Sequence, residues 1–162
     1  MFYRLHQNNS GGYHVTDSNL CANLIIEANS EEEALSKAEE LGCYLDGVSK
    51  GIDCPCCGDR WSEYTDEINL DTIREVHVFG PRENKTFTKW IKRYGSYEEI
   101  EAPQYKDKGS ILHRYEGKIK FRNIEECAQF FADEYGGWTD PDVRIFYADG
   151  TVKEFCKQKN LI

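Results

Sequence analysis

Three thiols crowd together in Asp53-Cys54-Pro55-Cys56-Cys57-Gly58. Cys54 and Cys57 have the spacing of a zinc knuckle, C-P-x-C-G. In such a knuckle proline fixes the turn, glycine takes a left-handed conformation and two thiolates face one ion. A closed structural zinc site needs four ligands, usually from a second C-x-x-C, and the sequence contains no second pair. Further donors would have to come from Cys21, Cys43, Cys56, Cys127, Cys156, His6, His14, His77 or His113. The segment therefore reads either as a zinc site on Cys54 and Cys57 or as a metal-free tight turn whose cysteines pack as small apolar groups. Nucleophilic chemistry finds little support. A reactive thiolate needs a positive environment, and Asp53, Asp59 and Arg60 leave the cluster acidic on balance.

Three other constellations have the residue types of a binding site. Arg60-Trp61 sets a guanidinium beside an aromatic plane, a pairing that suits the phosphate and the base of a nucleotide. Residues 82–93 interleave Arg82, Lys85, Lys89, Lys92 and Arg93 with Phe87 and Trp90, which suits phosphate or an acidic partner. His6-Gln7-Asn8-Asn9 gathers donors and acceptors on both faces of a short strand. Each has a plainer reading too: a buried tryptophan beside a surface arginine, an amphipathic helix with lysines on its wet face, and an exposed hairpin tip. The sequence contains no P-loop, Rossmann fingerprint, nucleophile elbow or H-E-x-x-H motif, which favours binding over enzymatic turnover.

These residues need elements to position them. Tyr3 to Asn8 reads as a strand, with Asn9-Ser10-Gly11-Gly12 as a turn and Tyr13 to Thr16 pairing back as a hairpin. Leu24-Ile25-Ile26 reads as a buried strand. Ser30 and Glu33 form a capping box before Ala34, Leu35, Ala38 and Leu41 at helical spacing, and Gly42 ends that helix. Residues 42–63 look irregular, as expected of a functional, disordered or metal-clipped loop. Arg74 to Phe79 alternates as a strand, Thr86 to Tyr94 has helical spacing, and residues 95–109 read as a polar loop. Ser110 to Tyr115 and Lys118 to Phe121 suggest a hairpin across Glu116-Gly117. A second helix is capped by Asn123 with Glu126 as its box partner and stops at Gly136-Gly137. Val143 to Tyr147 and Thr151 to Phe155 flank the turn Ala148-Asp149-Gly150. The expected class is α+β: antiparallel strands with two capped helices, in one or two small sub-domains divided near residues 63–72. Residues 1–63 would carry the cysteine loop, and residues 72–162 would form the second part.

The charge is uneven. Residues 1–70 hold 4 Lys/Arg against 13 Asp/Glu, whereas residues 71–162 hold 16 of each. An acidic half disfavours duplex DNA and anionic membranes, since both are bound through neutralised phosphates. The N-terminus has no apolar signal-peptide core, and no stretch reaches the roughly 20 apolar residues of a membrane span. Seven cysteines without a secretory signal point to reduced thiols or metal ligands, rather than a disulfide framework, in a cytoplasmic setting.

HQNNSGG (His6 to Gly12), a strand ending in IIEA, a helix with EEA, an LDG step and DCPCCGDRW (Asp53 to Trp61) together resemble a family of uncharacterised tailed-bacteriophage proteins over residues 1–62. The resemblance implies a viral protein acting in the bacterial cytoplasm. It marks His6, Gln7, Asn8, Asn9 and the Cys54 to Trp61 segment as the shared feature. The leading expectation is a non-enzymatic accessory protein that counters a host function, a defence system, by sequestering a nucleotide-derived signal. The alternatives are an acidic protein–protein inhibitor of a host factor and an enzyme acting on a nucleotide or protein. Host protein or small molecule is the expected partner, and a homo-oligomer is compatible with the sequence.

Overall fold

The computed structural model describes residues 1–72, 74–80, 99–100, 105–106 and 113–158. The chain is α+β and divides into two compact units, Met1–Asn69 with Phe131–Lys157, and Leu70–Phe130 with Gln158–Ile162. The chain leaves the first unit after Asn69 and returns at Phe131, so its last two strands build the sheet of the first unit.

In chain order the elements are β1 (Phe2–His6), a 3-10 turn (Ser10–Gly12), β2 (Asn23–Glu27), α1 (Glu31–Leu41), β3 (Asp66–Ile68), β4 (Arg74–Gly80), β5 (Glu99–Ile100), β6 (Tyr105–Lys106), β7 (His113–Ile119), α2 (Ile124–Tyr135), β8 (Val143–Phe146) and β9 (Val152–Phe155). The first unit holds a five-stranded sheet of order β3-β1-β2-β8-β9. It is mixed rather than purely antiparallel, because β8 joins β2 in parallel, Ile25 opposite Ile145. Parallel neighbours need a long crossover, and the whole stretch from α1 to α2 supplies it.

The expected β1 hairpin partner is replaced. β1 pairs with β2, Leu5 opposite Leu24, across a connection of residues 7–22. The turn signal itself is real, since Gly11 and Gly12 take φ of 79° and 85°. The chain after it finds its hydrogen bonds elsewhere. Val15 donates to Gln7 Oε1, and Gln7 Nε2 donates back to the Val15 carbonyl at 2.9 Å. One side-chain amide thus offers Val15 the two bonds that a neighbouring strand would have offered.

Strand alternation sorts the sheet faces. Tyr3, Leu5, Leu24 and Ile26 form one core with Ala34 and Ala38 of α1, Cys43, Leu45 and Trp61. The opposite face carries Arg4, whose guanidinium lies 4.2 Å from the centre of the Phe131 ring. Both helices start as their caps dictate. The Ser30 side chain accepts from Glu33 N, and the Glu33 carboxylate returns to Asn29 N, one residue earlier than expected. Asn123 Oδ1 accepts from Glu126 N at 2.9 Å, while the Glu126 carboxylate holds Arg122. Gly42, at φ 118°, closes α1 in the left-handed conformation.

In the second unit β7 is the centre, paired to β4, β5 and β6, all antiparallel. The expected hairpin across Glu116-Gly117 is one continuous strand. Glu116 and Gly117 pair with His77 and Val76, so the ladder to β4 runs through the glycine. The expected loop 95–109 contributes the short strands β5 and β6. The expected helix from Thr86 to Tyr94 lies outside the described residues.

The loop before Asp53 closes on a glycine that has no room for a side chain. A Cβ at Gly47 would lie 1.8 Å from Asp53 Oδ2. Gly47→Ala is expected to lower stability by about 2–3 kcal/mol. Gly150→Ala, at a left-handed φ of 90° with open space around it, is expected to lose ~1 kcal/mol. Urea midpoints read the order, and a milder effect at Gly47 than at Gly150 contradicts this packing.

Candidate functional site

β1 ends in a polar run whose four residues go to four different places. His6 faces a cleft, Gln7 is buried, Asn8 reaches the cysteine turn and Asn9 is exposed. Alternation along β1 puts Arg4 and His6 on one sheet face, with Asn23 of β2 opposite His6. The Arg4 guanidinium bonds Asn23 Oδ1 through Nε at 3.1 Å and Nη2 at 2.9 Å. Its plane also sits 5.4 Å from the ring of Tyr135.

These residues, with Gln7, His14, Ala22 and Trp138, line a cleft of about 400 Å³. That lies within the roughly 300–1,000 Å³ range of small-molecule sites. Trp138 is 66% exposed, and the His14 ring stacks on it with centroids 5.4 Å apart. A large ring held at a cleft rim with so much surface in water is a ready stacking platform. Burial lowers the pKa of both histidines from the usual value. Arg4 adds to the effect at His6, against Asp66, and Arg60 adds to it at His14, against a backbone bond with Gln7. Both imidazoles are therefore mainly neutral at pH 7.

The wall that carries His14 is part of the irregular connection 7–22, and buried arginines hold it. Arg60 is 3% exposed. Its Nη1 donates to the Tyr13 carbonyl at 2.6 Å and to Gln7 Oε1 at 3.1 Å. Its Nε donates to the Tyr44 hydroxyl at 2.8 Å, which in turn donates to Asp53 Oδ1 at 2.8 Å. The Tyr13 ring covers the guanidinium at 4.7 Å. Further along, Arg144 donates to the carbonyls of Asp17 and Leu20 at 2.6 and 3.0 Å. The Asp17 carboxylate closes the turn between them by accepting from Asn19 N and Leu20 N.

The expected Arg60-Trp61 pair thus sits inside the protein. Trp61 is fully buried, bridging Gln7 and Leu45 through its backbone. Its indole Nε1 has no hydrogen-bond partner among the described residues, so its contribution is bulk. Arg82, Lys85, Lys89 and Trp90 lie outside the described residues.

The cysteine turn forms as a knuckle. Cys57 N and Gly58 N both donate to the Cys54 carbonyl at 3.1 Å, and Gly58 takes φ 85°. The amides of Cys56 and Cys57 point at the Cys54 sulfur and hold its pKa below the usual thiol value. The Cys54 thiol pushes that of Cys56 up. Asn8 Nδ2 ties the turn to the end of β1, donating to the carbonyls of Cys57 at 2.6 Å and Asp59 at 3.3 Å. Cys54, Cys56 and Cys57 are exposed, whereas Cys21, Cys43 and Cys127 are buried. Burial pushes the Cys21 and Cys43 thiols up to about 12, which makes them inert packing groups. Among the described residues, no three Cys, His, Asp or Glu side chains converge to hold an ion.

Arg4, Asn23, Tyr135 and Trp138 escape a reading of the sequence, since they come from β1, β2, the end of α2 and the loop beyond it. Only the alternation of Arg4 with His6 along β1 is a local signal. Fold and cleft together define an α+β protein with a mixed five-stranded sheet and a polar, aromatic-rimmed surface cleft. The chain belongs to the family described as a domain of unknown function, DUF7296, which matches residues 1–162. Comparison with curated proteins and with solved structures gives no match. Among the described residues no helix is long and apolar enough to cross a membrane.

Two outcomes follow from this geometry. Removing the Arg60 guanidinium leaves Gln7 Oε1, the Tyr13 carbonyl and the Asp53–Tyr44 pair without their cation. Arg60→Met is expected to cost about 3–5 kcal/mol in urea unfolding, and a loss under ~1 kcal/mol contradicts the pinning role. The lowered histidine pKa values mean that the unfolded chain binds more protons just below pH 6.5. Stability should therefore fall as pH drops from about 6.5 toward the folded-state values. The double variant His6→Gln/His14→Gln should flatten that slope, and an unchanged slope assigns it to other groups.

Proposed function

We propose that this chain is a non-enzymatic binding protein whose cleft captures a planar, anionic small molecule of nucleotide type. In the infected bacterial cytoplasm it would counter a host defence by sequestering a nucleotide-derived signal. The cleft carries this reading. It combines a stacking ring, Trp138, with Arg4, His6 and His14 as cationic or protonatable groups and Asn23 as a polar wall. Stacking on an aromatic face is tolerant of base identity and contributes roughly 1–3 kcal/mol per base. A cation at the same cleft supplies attraction for phosphate. The viral setting rests on the likeness of HQNNSGG and DCPCCGDRW to tailed-phage proteins. The polar run of that motif feeds the cleft directly through His6 and Gln7.

Capture without turnover fits the cleft's chemistry. Asn23 Oδ1 is occupied by Arg4. Of the exposed thiols, three belong to the separate knuckle and the fourth, Cys156, donates to Asp140.

Calorimetry against nucleoside phosphates and cyclic dinucleotides tests the proposal. At least one should bind with Kd below about 10 μM, some 7 kcal/mol, and should be recovered chemically intact. Trp138→Ala should weaken it roughly tenfold to a hundredfold. Protonated imidazole attracts an anion, so affinity should rise as pH falls from 7 to about 5.5, the opposite direction to the stability of the empty protein. No binding across the panel, or binding indifferent to Trp138, overturns the reading. A steep loss with salt in binding to a basic host protein would favour an acidic docking surface instead.

A further inference from the structure

We propose that Cys54 and Cys57 are one half of a tetrahedral zinc site, and that the same two cysteines of a second copy of the chain complete it. Each chain then contributes a knuckle to a two-fold interface that is incomplete without its partner.

The turn already has the shape that such a ligand pair needs. Cys57 N and Gly58 N close on the Cys54 carbonyl, and Gly58 stands at φ 85°. The turn is held from beneath as well as formed. Asn8 binds the Cys57 and Asp59 carbonyls, and the next residue, Arg60, donates its backbone N–H to Asp53 Oδ2 at 2.8 Å. A ligand pair fixed to the sheet in this way loses little freedom on binding an ion.

The acidic residues beside the knuckle are already engaged inward. Asp53 accepts from Tyr44 and Arg60, and Asp59 Oδ1 accepts from Val48 N at 2.9 Å. Three of the other cysteines are buried, and Cys156 donates to Asp140 at 3.3 Å. Among the histidines whose side chains are described, His6 and His14 belong to the cleft. Zinc takes four ligands in a structural site, and of the three exposed thiols in this loop Cys54 and Cys57 are the two with the ligand spacing of a knuckle. The same loop exposes Ile52, 57% in water, and Pro55. They form a small apolar rim that a symmetric contact would cover. On binding, each thiol gives its proton to solvent and its sulfur lone pair to zinc, with no change of oxidation state. Cys56 stays outside the site.

The test uses the full chain in a non-chelating phosphine reductant. Zinc is added while mass is followed by light scattering and metal content by elemental analysis. The expected result is a doubling of mass at one zinc per two chains, reversed by a chelator. Cobalt(II) should bind with the visible spectrum of a tetrahedral tetrathiolate. Cys54→Ser/Cys57→Ser should stay monomeric and take up no zinc, and Cys56→Ser should behave as the unsubstituted chain. The chelator reversal in the unsubstituted chain stands whether or not the double variant folds. One zinc per chain at monomer mass, no uptake, or a dimer that survives chelation each overturns the proposal.

Discussion

A guanidinium buried in protein must find hydrogen-bond acceptors, because an unpaired buried charge is too costly to keep. Arg60 meets that requirement with groups from three separate stretches: Gln7, the Tyr13 carbonyl and the Tyr44–Asp53 pair. The consequence is organisation at a distance. Gln7 is fixed by Arg60 and can then serve as a surrogate strand for Val15. The Asp53 carboxylate is fixed by Tyr44 and by the Arg60 amide, and it fills the space that Gly47 leaves open. The connection 7–22, which has almost no regular structure of its own, acquires a definite path.

Arg144 repeats the device from β8, holding the Asp17 and Leu20 carbonyls. Between these two anchors the chain passes His14 beside Trp138. A cleft wall made of loop is usually mobile. Here it is tied at both ends to buried cations, so it is preorganised, which lowers the ordering entropy that a ligand would otherwise have to overcome. The knuckle shares the same foundation, since Asn8 follows Gln7 and Arg60 follows Asp59. Cleft and knuckle are thus two surfaces of one buried polar network.

Local signals in the sequence were sufficient for local structure. Both capping boxes, the terminating glycines, the buried β2 run and the turn at Gly150 are legible because each depends on neighbours within a few residues. The partner of β1 is not. Ser10-Gly11-Gly12 turns the chain as expected, but a glutamine side chain then replaces the second strand, and no pattern of periodicity encodes that. Glu116-Gly117 resembles a turn by composition and lies in mid-strand, because pairing with β4 continues through it. Arg60-Trp61 has the residue types of a ligand site, yet both side chains are directed into the core. The cleft escapes for the same reason. Its residues come from distant strands and from the end of α2, and only the fold brings Trp138 to His14.

The proposed capture of a planar anion in a preorganised cleft is tested most directly by nuclear magnetic resonance on protein labelled with ¹⁵N in tryptophan and histidine. The spectra are followed during titration with the tightest-binding nucleotide probe. The expected result is saturable movement of the Trp138 indole and of the His6 and His14 ring nitrogens, while the buried Trp61 indole stays in place. Movement of the Trp61 resonance with Trp138 and the two histidines unchanged would contradict the cleft as the site.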